Sequence, residues 1–280
     1  MRKLILLSLI TLLCLPVIAY AASIGGAETQ GQGKFAIGLD QEFVFDRDMK
    51  KKSVDWQEAA DITLTGTMKP EVDKMYRTMV KTSYGVLDNL DIYVKLGTAA
   101  FESKYKTSGT WVHDDGINPV ETGTWDESVK GKGDNAFAYG FGAKGTYNLK
   151  DDWIIGCEAQ YLRHKHDLKL TGSLNAYDDT GALVHSETYD PRKAKMTIQE
   201  WQIAPYIAKK LGSFIPYLGV KYSDQRGECK DEEGKKKFKA DDNFGVFLGT
   251  DYKIGKNFSL NLEGRFVDET AMSFGATYRF

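Results

Sequence analysis

Histidine is the residue of this sequence best suited to acid–base chemistry near neutral pH, and all four copies lie in polar stretches. They are His113, His164, His166 and His185. Two of them share a face with Asp167 adjacent, and His113 precedes a pair of aspartates. This pairing is compatible with a general base or a weak metal site, but no further ligand has the spacing of a metal centre. We therefore expect solvated loop histidines, no metal and no cofactor.

A second set of charged residues recurs at alternate positions within apolar segments, so its members would share one face of a sheet. The set is Asp40, Glu42, Arg77, Lys81, Asp91, Lys95, Lys144, Glu158, Glu200, Lys221, Asp251, Glu263, Arg265 and Arg279. Charges enclosed in a protein are costly unless they are paired, and a selective pore needs an excess of one sign at its constriction. Because acids and bases are equal in number here, the set predicts a charge network across an interior rather than the lining of a selective pore.

The elements that must position these residues are strands, because apolar and polar side chains alternate with period two in ten segments. The segments begin near Phe35, Lys74, Leu90, Phe137, Trp153, Trp201, Phe214, Phe244, Phe258 and Thr270. An even number of antiparallel strands can close into a cylinder with both chain ends on one side. The predicted fold class is all-β: a transmembrane antiparallel up-and-down β-barrel of about ten strands.

The connections between these segments alternate between short turns and long polar stretches. The long ones are 47–73, 102–135, 164–194 and 224–240, and several contain further alternating stretches that could extend the sheet. Short periplasmic turns and long extracellular loops are typical of outer-membrane barrels. Aromatic residues fall near both ends of the predicted strands, as lipid interfaces favour. About ten strands leave at most a thin passage, because eight already give an interior that side chains fill.

The amino-terminal residues have the pattern of an export signal, with a basic start, an apolar stretch and small residues at Ala19 and Ala21. The predicted organisation is a signal peptide over 1–21, a short periplasmic N-terminal segment over 22–33 and the barrel over 34–280. After the signal, no stretch approaches the roughly 20 apolar residues that a membrane-spanning helix requires.

The charge of the chain limits its possible binding partners, and the positions of its cysteines bear on whether it forms a disulfide. A formal net charge of -2 excludes a nucleic-acid partner. The lysine runs 50–52 and 235–237 could contact the phosphates of lipopolysaccharide, although a solvated loop is the preferred interpretation. Cys157 and Cys229 should lie at opposite ends of the barrel, too far apart for a disulfide, which needs Cα atoms roughly 4.4–6.8 Å apart.

The last strand alternates up to an aromatic terminus, with Gly275, Tyr278 and Phe280 in the order that resembles the signal read by the bacterial barrel-assembly machinery. The hairpin stretches 84–90 and 93–97 look like those of porin-like and opacity-type surface barrels. Over residues 34–280 the chain thus resembles small bacterial outer-membrane β-barrel proteins. The resemblance implies folding by the assembly machinery, outer-membrane lipid as surroundings and a Gram-negative envelope.

Three functions are compatible with this scaffold, because the fold does not determine function. The first is a non-enzymatic narrow passive channel or structural surface protein. The alternative is an adhesin or ligand-binding surface barrel acting through its long loops. The third is a hydrolase at the barrel rim, omptin-like or lipid-cleaving, although neither a serine–histidine motif nor the omptin arrangement of aspartates and histidine can be matched. Solute, ligand and oligomeric state have no signal in the sequence.

Overall fold

The computed structural model describes residues 24–59, 61–231 and 234–280, and in these ranges every helix or strand element is a strand. The strands are β1 (Phe35–Asp48), β2 (Lys52–Ala59), β3 (Ile62–Leu87), β4 (Leu90–His113), β5 (Glu121–Asn148), β6 (Trp153–Asp178), β7 (Leu183–Lys209), β8 (Phe214–Asp231), β9 (Gly234–Lys239), β10 (Phe244–Ile254), β11 (Phe258–Phe266) and β12 (Thr270–Arg279). Over the described ranges, there is no helix with the length and apolarity to cross a membrane.

Ten strands form a closed ring because β1 pairs antiparallel with both β12 and β3. Around the ring the order is β1, β12, β11, β10, β8, β7, β6, β5, β4 and β3. The two other strands are short: β2 pairs with β3, and β9 pairs with β8. The predicted all-β up-and-down fold is confirmed. The total strand count is higher than ten because β2 and β9 form within stretches that the sequence predicts to be loops.

The strands alternate between an apolar outer face and a mostly polar inner face. On β4, Ile92, Val94 and Leu96 are about half exposed at 50–52 %, whereas Tyr93 and Lys95 between them are at most 4 % exposed. A closed ring with such an outer belt is surrounded by lipid, because exposing so large an apolar surface to water is unfavourable. The outward residues of the other ring strands follow the same pattern.

Aromatic side chains meet in pairs at both ends of this belt. At the turn end, the ring centroids of Phe35 and Tyr84 are 4.7 Å apart. At the opposite end, those of Tyr161 and Trp201 are also 4.7 Å apart. Rings with an apolar body and a polar edge are favoured at lipid–water interfaces. The two bands therefore mark the borders of the membrane-embedded part.

Most of the predicted outer loops are strand in the structure, which corrects their assignment as loops and agrees with the expectation that alternating stretches within them could extend the sheet. Strands β3 to β7 are 24–28 residues long, although roughly 9–11 residues cross a bilayer. They continue because each of these strands stays paired with an adjacent strand beyond the membrane, which satisfies most of its backbone N–H and C=O groups. Between these strands, the connections beyond the membrane shorten to 114–120 and 179–182. The sheet therefore projects far above the outer aromatic band.

Candidate functional site in the barrel interior

The structure brings the fourteen alternating charged residues together inside the barrel. Arg279 is partly exposed at the periplasmic mouth. Of the other thirteen, Lys81 is the least buried, at 7 % exposed. The strand pleat explains the arrangement, because every second side chain of a closed sheet points to the lumen. Most of these residues belong to two clusters of ion pairs, one nearer each end of the membrane, whereas Asp91, Asp251 and Arg279 bond to the N-terminal segment.

Arg47 is the centre of the cluster on the extracellular side. Its Nη1 lies 3.0 Å from Glu200 Oε1 and 3.2 Å from Glu269 Oε2. Its Nη2 donates to Ser223 Oγ at 2.7 Å and lies 3.6 Å from Asp268 Oδ2. The further ion pairs around it are Lys221–Asp268 (2.9 Å), Arg265–Glu269 (3.1 Å), Arg77–Glu42 (2.8 Å) and Arg77–Glu200 (3.3 Å). The cluster spans the lumen and joins opposite walls.

Three members of this cluster are absent from the sequence prediction, which assigns Arg47 to a loop and Asp268 and Glu269 to a turn. The pairing of β1 with β12 shifts register between Val44 and Asp46. Such a bulge reverses the alternation and turns Arg47 inward. The two acids follow Val267, which adopts a φ of 85° and reverses the chain over the lumen. The alternation of apolar and polar residues in the sequence predicts neither the bulge nor the chain reversal.

The cluster on the periplasmic side is built around Glu158. Lys144 lies 3.3 Å and Lys81 lies 3.7 Å from its carboxylate, and Tyr93 donates its hydroxyl to the same group. Nearby, Lys95 Nζ is 3.2 Å from Asp40 Oδ2. Buried charges with several opposite partners each cross-link the walls.

Interior glycines make room for aromatic rings rather than opening a passage. A Cβ on Gly142 would lie 2.4 Å from the Tyr93 hydroxyl, and a Cβ on Gly219 would lie 2.3 Å from the Phe247 ring. Only glycine allows an approach this close.

The N-terminal segment occupies the periplasmic half of the lumen. The sequence predicts a short periplasmic arm over 22–33, but in its described part Ile24 and Ala27 are fully buried. They pack against barrel-wall residues including Ile154, Ala204 and Ile215. This is a correction, and its physical reason is that the lumen supplies both an apolar surface and hydrogen-bonding partners. The predicted signal peptide lies outside the described residues.

Interior side chains bind the backbone of this segment. Ala27 N donates to Asp251 Oδ2 at 2.7 Å, and Gln30 N donates to Asp91 Oδ2 at 3.0 Å. Lys144 donates to the carbonyl groups of Ile24 and Gly26. The sequence includes Asp91, Lys144 and Asp251 among the charged interior residues, but it has no signal that their partner is the chain's own N-terminus.

At the periplasmic mouth, Glu28 anchors the segment to the turn after β7 and to the end of β10. Its carboxylate lies 3.2 Å from Lys210 Nζ and 2.6 Å from Lys253 Nζ. Gln30 accepts a hydrogen bond of 2.8 Å from Arg279 Nε. A cavity beside the segment, lined in part by Gly25 and Gln30, has a volume of about 10 Å³, which is no more than roughly one water molecule requires.

Two histidines predicted to be solvated are buried inside the barrel, which corrects that expectation. His164 is 2 % and His166 is 0 % exposed, because β6 continues through them. His164 Nδ1 and His166 Nε2 lie 2.7 Å apart, and His166 Nδ1 lies 3.1 Å from the carbonyl oxygen of Asp134. Asp167 lies on the opposite, exposed face. Within the described ranges, no group of three metal-ligating side chains is close enough to hold a metal ion.

At the extracellular tip, His113 pairs with Asp61 rather than with the aspartates that follow it. Its Nε2 lies 2.8 Å from Asp61 Oδ2, and its Nδ1 lies 3.6 Å from Glu121 Oε2. The hydrogen bond with Asp61 raises the pKa of His113. Asp115 instead accepts hydrogen bonds from the backbone of Asn118 and Ile117, which lower its pKa to about 2.

The three residues of the predicted assembly signal lie on or just after the last strand. Gly275 is buried between Asp40 of β1 and Asn261 of β11, whereas Tyr278 and Phe280 face outward. Phe280 N donates to the carbonyl oxygen of Phe35 at 2.9 Å, so the terminus completes the ring. Recognition by the assembly machinery stays a prediction.

The interior changes from polar to apolar above the Arg47 cluster. Here a cavity of about 70 Å³ lies among the strands that project from the membrane. Met49, Val72, Phe101, Leu168 and Met196 line it and belong to one buried apolar cluster. Such a surface is unusual where the extracellular end of a barrel faces water. The sequence does not predict this cavity, because most of its walls come from stretches that have the composition of loops.

Cys229 also lines this cavity, and burial raises the pKa of its thiol to about 11. Cys157 lies near the periplasmic turn of β6, and both thiols are free. The structure therefore separates the two cysteines as the sequence predicts.

The two predicted lysine runs, far apart in sequence, meet beside the cavity. Met49 and Ala240 form an antiparallel bridge, and Lys50 N donates to Lys239 O at 2.9 Å. Lys52 donates to the carbonyl oxygen of Lys237. We call residues 50–52 and 235–239 the lysine patch. One of its lysines, Lys235, pairs with Glu228 at 2.8 Å.

The chain matches no protein-family model and no curated protein. Its fold is similar to that of the outer-membrane protease OmpT from Escherichia coli, with 12 % identity, a TM-score of 0.54, and 88 % of this chain and 97 % of that chain covered. Weaker similarity extends to OprG from Pseudomonas aeruginosa, with 10 % identity, a TM-score of 0.36 and coverage of 90 % and 99 %. An outer-membrane channel from Pseudomonas putida F1 has 10 % identity, a TM-score of 0.40 and coverage of 93 % and 100 %. Together with the closed ring and its apolar outer belt, the fold identifies the chain as an integral β-barrel of the bacterial outer-membrane type.

Proposed function

We propose that this protein is a non-conducting, non-enzymatic surface barrel that is sealed by its own N-terminal segment and acts through the sheet outside the membrane. The observation that carries the proposal is the position of residues 24–30 inside the lumen. Their backbone groups are bound by Asp91, Lys144 and Asp251, which belong to three different strands. A segment held at so many points is a structural part of the interior.

Two further observations support a closed lumen over a narrow passive channel. The cavity beside Gly25 and Gln30 of the N-terminal segment has room for roughly one water molecule, and a hydrated ion needs more. Above it, Arg47 and its acidic partners join opposite walls of the barrel. An ion would therefore have to displace the segment and separate buried ion pairs, each of which is costly.

The test is single-channel recording of the refolded protein in a planar bilayer, with a known porin as the control for insertion. Silence from protein whose mobility on gels is heat-modifiable is the expected result. Discrete and reproducible conductance steps would refute the sealed lumen and return the protein to the class of channels.

A thiol-accessibility experiment tests the position of the segment directly. In a variant without native cysteines (Cys157→Ser, Cys229→Ser), Ala27→Cys should react slowly with a membrane-impermeant maleimide because Ala27 is fully buried. Gln32→Cys, five positions along the same segment and exposed, is the matched control and should react quickly. Equal rates at the two positions would mean that the segment does not occupy the lumen.

A further inference from the structure

The cavity of about 70 Å³ above the Arg47 cluster has the properties of a ligand site. Its walls include Met68, Val72, Phe101, Leu168 and Met196. At roughly 10–15 Å³ for each water-sized group, the enclosed space accommodates about five such groups. An apolar chain of several carbon atoms fits this volume and surface, whereas a sugar or an ion would lose its hydration without replacement.

The cavity has a closed floor. Gln225 lines its lower side and is 1 % exposed, and Ser223, two residues closer to the membrane on β8, bonds to Arg47. A ligand that enters from the extracellular side therefore meets the charge network and stops. In this respect the inference rests on the proposed function, because a conducting lumen would turn the cavity into the entrance of a passage.

The lysine patch places positive charge at the rim of the cavity, beside Glu71, Lys104 and Asp231, which also line it. Phe238 and Lys236 of the patch line the cavity themselves, and Lys52 Nζ lies 5.0 Å from the centre of the Phe238 ring. Lys104 pairs with Glu71 and Lys235 pairs with Glu228, but the seven lysines of the patch outnumber the acidic groups beside them and repel one another. A negatively charged group at this rim would reduce that repulsion.

From these observations we propose that the cavity binds a single alkyl chain that carries an anionic head group. The chain enters the apolar cavity, and the head group lies at the lysine patch, in reach of Lys52 and Lys236. Neither feature suffices alone: lysine runs are usually solvated, and an apolar cavity by itself does not select a charged ligand. Their contact through Phe238 gives both requirements of an anionic amphiphile in one place.

Alkylation of the native cysteines in neutral-lipid nanodiscs tests the proposal without a mutation. Cys229 lines the cavity, whereas Cys157 lies near the other end of the barrel and reports any change in the surrounding lipid. Octanoate should slow the alkylation of Cys229 at least fivefold in a saturable way and leave Cys157 unchanged. Octan-1-ol, which has the same chain but no charge, should need at least a tenfold higher concentration.

Substitutions separate the two parts of the site. Lys52→Gln with Lys236→Gln should raise the half-protecting concentration of octanoate at least fivefold. Lys130→Gln with Lys132→Gln, two exposed lysines of β5 outside the patch, should leave it unchanged. A lysophosphatidylglycerol with an octanoyl chain identifies the source of the head group: stronger protection than octanoate indicates a membrane lipid, and weaker protection indicates a free fatty acid.

The proposal would be overturned if neither octanoate nor the lysophosphatidylglycerol protected Cys229 from alkylation. Equal potency of octanoate and octan-1-ol would also overturn it, because the head group would then not be recognised. If Cys229 is not protected and the bilayer recording shows no conductance, the amphiphile site is refuted but the sealed lumen is not. Conductance together with selective protection would refute the sealed lumen but not the anionic amphiphile.

Discussion

Replacing Arg47 by methionine should destabilise the barrel more than any substitution at an exposed charge. The guanidinium is fully buried and lies within 3.2 Å of the carboxylates of Glu200 and Glu269 and within 3.6 Å of that of Asp268. Removing one partner of a buried ion pair costs about 3–5 kcal/mol, because the remaining charge stays buried without compensation.

The structure favours the lower end of that range. Lys221 and Arg265 neutralise Asp268 and Glu269 from other directions, at 2.9 and 3.1 Å, so chiefly Glu200 loses a partner. Glu200 keeps Arg77 at 3.3 Å. We therefore expect a loss of about 3 kcal/mol in the free energy of unfolding.

The assay is equilibrium unfolding by urea in lipid vesicles, followed by tryptophan fluorescence and by heat-modifiable mobility on gels. Lys69→Met is the matched control, because its 3.1 Å pair with Asp48 is about half exposed. Such pairs contribute less than about 1 kcal/mol. Equal losses in the two variants would refute the idea that the Arg47 cluster holds the walls of the barrel together.

Three further predictions concern single positions. Val267→Gly should raise the free energy of unfolding by about 1 kcal/mol, because the φ of 85° strains a β-branched residue whose side chain is 71 % exposed; a lower urea midpoint would contradict this. The raised pKa of His113 means that its contact with Asp61 stabilises the extracellular tip below the unfolded pKa of roughly 6.5 and is lost as pH rises through the higher folded value. NMR titration of the imidazole should show a lower pKa in Asp61→Asn, and an unchanged pKa would exclude the contact. Nonreducing electrophoresis with peptide mapping should find Cys157 and Cys229 unbridged, whereas a peptide that joins them would disprove the strand assignment.

Strand identity and direction could be read from the sequence wherever one side of the strand contacts lipid. Ile92, Val94 and Leu96 alternate with polar or small residues because only one face needs to be apolar, and the structure has them outward. The same alternation predicts that Asp40, Glu158 and Lys221 point inward, where they are at most 1 % exposed.

The prediction was wrong where the environment is not lipid. Above the membrane a strand needs no apolar outer face. Strands β3 to β7 therefore continue through stretches whose polar composition is typical of loops. His164 and His166 were misassigned for this reason. Their burial depends on strand neighbours that the local sequence does not specify.

The alternation of apolar and polar residues along each strand was enough to predict a barrel with an apolar outer face and a charged inner face, because this pattern is local to each strand. Only the tertiary structure decided what fills the interior. Arg47 enters through a bulge, residues 24–30 lie inside the lumen, and the lysine patch joins segments that are 185 positions apart in sequence. Each of these depends on contacts between distant parts of the chain, and a pattern of neighbouring residues has no means to encode which distant segment will be its partner.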